Sequence, residues 1–165
     1  MKKLFISTLF LFISFIPSFS QSDLLQFPKD AAILKEDGSF EVITNEDANF
    51  TPIGFFVIAD GLHAQTRTSA APQTMVILKV NSMNESLSEN IKVFKMKANK
   101  SSRRASLGGY GIKSKAVVPF SLDKYDENCV VIILKNLEPG EYGIWYTNPL
   151  EFSGGMHKMT FFGVE

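Results

Sequence analysis

Short apolar runs rich in Val, Ile and Phe alternate with clusters of Gly, Pro, Asn and Asp beyond residue 30, the pattern of strands joined by turns. It predicts strands near 32–36, 39–44, 54–59, 63–67, 75–81, 91–97, 114–119, 129–135, 142–147 and 158–164. No window sustains an apolar stripe at helical spacing, and residues 82–90 are polar enough for a loop or a single helical turn. Within 91–97, Phe94 and Met96 fall on one face while Val93, Lys95 and Lys97 fall on the other, as in a half-buried strand. Lys92 shares the Phe94 face and is expected at the strand's end, within reach of water. The run from Cys129 to Leu134 is apolar on both faces, which suits a central strand covered on both sides. Residues 100–106, Lys-Ser-Ser-Arg-Arg-Ala-Ser, read as a long surface loop. Ten short strands with frequent turns predict an all-β domain of two packed antiparallel sheets over residues 27–165.

Three turns carry more specific geometry. Asp37-Gly38 and Asp60-Gly61 each lie between apolar runs, where a two-residue hairpin needs φ > 0 at both central positions and this pair adopts it cheaply. The first predicts 32–36 folding onto 39–44, and the second predicts 54–59 folding onto 63–67. In Leu137-Glu-Pro-Gly-Glu-Tyr142, a strand ending at Lys135 must cross to the other sheet and begin again. Pro139 presets φ and Gly140 takes a conformation other residues resist, while Leu137 plugs the edge of the core. Tyr142 is then placed to bury its ring and hydrogen-bond its hydroxyl to nearby backbone, the corner device of immunoglobulin-like sandwiches. The expected fold is an immunoglobulin-like antiparallel β-sandwich.

The Leu-x-Pro-Gly-Glu-Tyr turn of Leu137, Pro139, Gly140, Glu141 and Tyr142, with the terminal Phe162-Gly163-Val164-Glu165, resembles a set of uncharacterised exported bacterial proteins with an immunoglobulin-like fold. The upstream order is similar across about residues 53–165: Asp60-Gly61, a strand at 75–80, a basic strand at 92–97, then Arg103-Arg104. The resemblance implies a fold and a compartment, and no mechanism.

The N-terminus points to the same compartment. Lys2 and Lys3 precede an apolar run from Leu4 to Ile16, Pro17 breaks it, and Ser18 and Ser20 are the small residues a signal peptidase reads. A signal peptide over residues 1–20, cleaved before Gln21, is expected. The run is shorter than the roughly 20 apolar residues of a membrane span, and no cysteine follows it for lipid attachment, so the mature chain is expected free in the periplasm or outside the cell. Cys129 is the only cysteine, which rules out an intramolecular disulfide and is ordinary for a bacterial exported chain. It reads as a small core hydrophobe.

Signatures of catalysis are missing from the sequence. His63 and His157 are its two histidines, and it holds no Gly-x-Ser-x-Gly elbow, His-Glu-x-x-His pair or paired-cysteine spacing. Ser153-Gly154-Gly155 before His157 reads as a turn, as does Gly108-Gly-Tyr-Gly111, which opens no helix and so makes no phosphate cradle. Asp123, Asp126, Glu127 and Asn128 share a loop and are ligand types that suit calcium, but their spacing departs from calcium loops and a solvated acidic turn is the plainer reading. No metal and no cofactor is implied. Sequons at Asn49, Asn84 and Asn99 and the kinase-like Arg103-Arg-Ala-Ser106 are background matches in such a chain.

Charge is where the chain departs from the ordinary. It carries 17 basic and 17 acidic residues, yet Lys92, Lys95, Lys97, Lys100, Arg103, Arg104, Lys113 and Lys115 fall together with no acidic residue among them. If strands 91–97 and 114–119 are neighbours, these lysines form a positive face edged by Arg103-Arg104. Such a face attracts phosphate or sulfate and loses affinity as salt rises. The reading is an exported non-enzymatic binding module of the cell envelope or exterior, with 92–115 as contact surface. Its partners would be acidic envelope polysaccharide, lipopolysaccharide or another protein. The bland reading is that the lysines blunt an exposed edge strand, and a third is that the basic residues pair with acids of the same chain or of another copy. Nucleic acid is disfavoured because the aromatics do not interleave with the basic residues. The alternative function is a carbohydrate-binding or hydrolase accessory domain using Tyr110, Trp145 and Tyr146. Trp145 lies on the strand face opposite Tyr142, where it is either exposed or capped by a neighbouring element. An enzyme would need His63 or His157 beside an acidic residue in a deep cleft.

Overall fold

The computed structural model describes residues 30–51, 55–80, 87–109, 112–146 and 155–165. The expected signal peptide and residues 27–29 lie outside the described residues. In chain order the strands are Ala31–Leu34 (β1), Phe40–Val42 (β2), Asn45–Thr51 (β3), Phe56–Asp60 (β4), Arg67–Thr68 (β5) and Gln73–Lys79 (β6). A single helical turn, Leu87–Asn90 (α1), leads into Ile91–Asn99 (β7), followed by Ser102–Ser106 (β8), Gly108–Gly109 (β9), Ile112–Lys113 (β10) and Val117–Val118 (β11). Ser121–Lys124 (β12), Cys129–Lys135 (β13), Gly140–Tyr146 (β14) and Gly155–Val164 (β15) complete the set. Among the described residues, no helix is long and apolar enough to cross a membrane.

Two antiparallel layers result. One is an open five-stranded sheet in the order β12-β13-β6-β1-β2. In the other, β7-β14-β15-β3-β4-β8 run side by side and β8 pairs back onto β7, so the sheet closes into a six-stranded barrel. The fold is all-β, as the alternation predicts, but the second layer curls shut where an open sheet was expected. Residues 45–51, to which the pattern assigns no strand, and 102–106, which read as a surface loop, are β3 and β8. Without them the ring would not close.

Three barrel strands face both ways. Val93, Tyr142, Ile144, Phe162 and Val164 point out of the barrel and pack against Ile33, Val76, Leu78 and Ile132 of the open sheet. The alternate residues Phe94, Met96, Trp145 and Phe161 point inward and fill the barrel with Phe50 and Val57. Gly143 sits where two of these rings converge. A Cβ there would lie 2.5 Å from Phe94 and 2.8 Å from Phe161, so this level of the barrel packs only around a hydrogen. On the far face of the open sheet the register aligns Ala32, Ile77 and Val131, all buried, as the doubly apolar 129–134 run predicts.

The two Asp-Gly pairs diverge. β1 and β2 do pair, with Leu34 opposite Phe40. Their loop is one residue longer than predicted: Gly38 N donates to Lys35 O and Lys35 N to Ser39 O, both at 2.9 Å, with Gly38 at φ 83°. This is a type I turn closed by a left-handed glycine, and the Asp37 carboxylate accepts from Ser39 N at 2.9 Å and Ser39 Oγ at 2.6 Å. The second hairpin does not form. β4 is taken on both sides by β3 and β8, and Gly61 N donates to Ser101 O at 2.9 Å. The polar run after it has too little apolar surface to compete for β4.

At the corner the chain crosses from β13 in the open sheet to β14 in the barrel. Leu137 is buried, and a Cβ on Gly140 (φ 154°) would stand 2.9 Å from Lys95 Cε. The Tyr142 ring is 2% exposed and stacks on Phe162 with centroids 5.6 Å apart, and its hydroxyl donates to Glu138 O at 2.6 Å. Pro139 lies exposed on the outside of the turn. Replacing Tyr142 by Phe removes that bond and is expected to lower stability by about 1 kcal/mol, read from urea unfolding. An unchanged midpoint would mean that the hydroxyl does not hold the corner.

Candidate functional site

Adjacent residues of a strand point to opposite faces, and β8 applies this to two arginines. Arg103 enters the barrel and is 0% exposed; Arg104 stands outside it. A buried guanidinium is tolerated only if it is paired. Arg103 Nη2 ion-pairs with Glu46 of β3 and donates to Asp60 O at 3.2 Å, and its Nη1 lies 3.6 Å from Glu141 Oε2 of β14. Its Cζ stands 5.1 Å from the centre of the Phe161 ring. The expectation that Arg103 contacts a polyanion is therefore wrong. The residue is sealed inside the fold and spent on internal carboxylates.

Glu141 is the hub of a second set of contacts. It accepts from Arg67 Nη1 at 2.8 Å and from Ala64 N at 2.7 Å, and lies 3.1 Å from His63 Nδ1. Arg67 Nε also donates to the Glu165 carboxylate. Glu141 is opposite Gly163 in the β14–β15 ladder, and a Cβ on Gly163 would sit 2.7 Å from the Arg67 guanidinium carbon. The Leu-x-Pro-Gly-Glu-Tyr turn and the terminal Phe-Gly-Val-Glu thus meet on one arginine, which sequence reasoning did not single out. The available signal was a glycine and two acids with no stated partner. Burial alone would raise the Glu141 carboxyl, but the bonds from Arg67, the Ala64 amide and His63 outweigh it and hold the group below its ordinary value. His63 does stand beside an acidic residue. Its side chain is 73% exposed, however, and the carboxylate is already committed to Arg67 and Ala64. The arrangement is a clamp that joins β5, β14 and the residue after β15.

The second candidate lies on the outer wall. β8 pairs with β7 only at Lys97–Asn99, then follows β4; farther along, β11 takes over on the same flank of β7, with Lys95 N donating to Ala116 O at 2.7 Å. Between the two pairings the wall opens into a groove of about 620 Å³. Met96 and Ala105 line it as well as the barrel core, joined by Phe56 and Ala116. Lys95, Lys97, Arg104 and Lys115 stand around it. Lys97 and Arg104 are direct cross-strand partners, a like-charge juxtaposition that costs stability. Arg104 Cζ lies 3.7 Å from the centre of the Phe56 ring. Lys95 is neutralised by Glu138 at 2.8 Å, a contact that raises the lysine's pKa and lowers the glutamate's. No acidic side chain among the described residues pairs with Lys97, Arg104 or Lys115.

The predicted eight-residue basic face is therefore divided. Lys95, Lys97, Arg104 and Lys115 converge on the groove. Lys92 is exposed at the start of β7 and Lys100 in the β7–β8 turn, at opposite ends of that strand. Lys113 pairs through its backbone with Gly108, and its side chain lies outside the description. Trp145 is inside the barrel, 8% exposed, with its ring 4.5 Å from that of Phe50. The face opposite Tyr142 is a barrel interior and not solvent, so of the two readings of Trp145, exposed or capped, the structure shows the capped one. Tyr146 is half-buried against the inter-layer core, and Tyr110 lies outside the described residues, as do Ser153 and Gly154. Cys129 is half-buried at the start of β13 and not in the core as expected, and burial pushes its thiol up to about 11. Asp126 accepts from Asn128 N at 2.7 Å to shape its turn, and no three His, Cys, Asp or Glu side chains among the described residues group to hold a metal.

Comparison of the chain with family models, with curated proteins and with solved structures finds no match in any of the three.

A carboxyl held below its ordinary value stabilises the fold fully above about pH 4.5 and loses that contribution as pH falls through the folded value. The urea midpoint is therefore expected to drop on acidification below about pH 4.5. Glu141→Gln should begin lower at neutral pH and show a shallower acid slope. Equal slopes in the two proteins would place the acid sensitivity elsewhere.

Proposed function

We propose that the protein is an exported, non-enzymatic binding module of the cell envelope or exterior whose contact surface is the groove beside β7 and β8. The observation that carries this reading is the Lys97–Arg104 pair, two cations side by side on paired strands with no carboxylate among the described residues to relieve them. An anionic ligand supplies the missing charge, and acidic polysaccharide or lipopolysaccharide phosphate is the chemistry available in that compartment. The bland alternative, lysines blunting an exposed edge, has less support because β7 is paired with β14 along one flank and with β8 and β11 at either end of the groove on the other. The carbohydrate-binding alternative has less support because Trp145 packs inside the barrel. Export rests on the leader-like residues 1–20. Kinship with exported immunoglobulin-like proteins rests on the two terminal motifs, the Tyr142 corner and the two antiparallel layers, here with one layer curled shut.

Retention of the purified protein on an immobilised polyanion across a salt gradient tests the reading. Wild type is expected to stay bound to about 0.3 M salt, where the Debye length is under about 6 Å and diffuse attraction is screened. Lys97→Glu with Arg104→Glu should elute early at unchanged melting temperature. Early elution of both proteins would reduce the groove cations to a solvated surface.

A further inference from the structure

We infer that the groove's ligand is an alkyl chain carrying a phosphate monoester headgroup, an inference that rests on the groove being the binding surface. A purely ionic surface needs no apolar floor. Here Phe56 and Ala116 line the groove together with Met96 and Ala105, which are buried in the barrel core and tie the groove's apolar floor to it. Its volume of about 620 Å³ falls within the range of about 300–1,000 Å³ usual for small-molecule sites.

The rim specifies the head. Lys95 is already satisfied by Glu138, which leaves Lys97, Arg104 and Lys115 uncompensated among the described residues. Three free cations ask for more than the single charge of a carboxylate or sulfate, and a phosphate monoester carries about −1.5 to −2 at neutral pH. Arg104 Cζ lies 3.7 Å from the centre of the Phe56 ring, a contact that positions the guanidinium at the rim, where its planar fork suits two phosphate oxygens. The same contact covers Phe56, an aromatic lining the groove that a sugar ring could otherwise stack on. A soluble polyanion would meet the rim and leave the floor wet; an alkyl chain covers it.

The test is calorimetric titration of the protein with decyl phosphate, octyl phosphate and inorganic phosphate, the alkyl esters kept below their micelle concentrations. Decyl phosphate is expected to bind one to one and octyl phosphate roughly tenfold more weakly, since each buried CH₂ contributes a factor of about 3–4. Inorganic phosphate should bind far more weakly than either. Lys97→Ala with Arg104→Ala should weaken decyl phosphate at least tenfold. Ala116→Phe, or Ser106→Leu if the first lowers the melting temperature, should fill the groove and abolish the chain-length effect while leaving polyanion retention intact. Equal affinity for the three phosphates, or indifference to both groove-filling variants, would overturn the inference while polyanion retention still supported the binding surface. Loss of both behaviours in wild type would overturn the binding surface itself.

Discussion

One buried guanidinium determines how the second layer is built. Arg103 is carried by β8, faces the carboxylates of Glu46 on β3 and Glu141 on β14, touches the Phe161 ring on β15 and bonds the Asp60 carbonyl at the end of β4. Its backbone neighbour across the closing seam is Ala98 of β7. Every strand of the ring thus meets this residue. An open arrangement would leave the charge either unpaired in an apolar interior or returned to water, and the first of these is costly. A buried pair need not exceed an apolar core in stability. Its effect here is selection: the closed ring is the arrangement in which all these charges have partners.

The exposed chemistry follows from the same strand. Because side chains alternate, placing Arg103 inside puts Arg104 outside, against Phe56 and opposite Lys97. β7 is nine residues long and shares one flank between β8 and β11, and the space between those pairings is the groove. The groove floor is therefore tied to the packing of Met96 and Ala105 in the core, and its surface is already held in shape. The clamp of Arg67 on Glu141 and Glu165 secures the barrel at the corner, where the chain enters β14 from the open sheet and β15 ends.

Apolar alternation made most strands legible, and the corner at Leu137–Tyr142 was legible because its turn residues and its tyrosine each have a local reason to be there. What stayed hidden shares one cause. β3 and β8 present Glu46 and Arg103 to the interior, so neither run looks amphipathic by itself, and the two residues lie 57 positions apart in the chain. Each charge masks a strand, and only the pairing explains both. Whether Trp145 is exposed stayed open in the sequence, because the face opposite Tyr142 is solvent in a sandwich sheet and interior in a barrel. Asp60-Gly61 promised a hairpin on local grounds that tertiary pairing of β4 overrode. The basic segment was readable as a segment, but composition could not separate Arg103 from Arg104; that required knowing which face of β8 is inside.

A double-mutant cycle by urea unfolding at neutral pH, using Arg103→Met, Glu46→Gln and the pair together, tests the role of the buried charge most directly. Each single change should cost about 3–5 kcal/mol by stranding its partner, and the double change should cost clearly less than the sum of the two. Additive losses would contradict the account, because they would mean that the two residues stabilise the fold independently and that the barrel closes for some other reason.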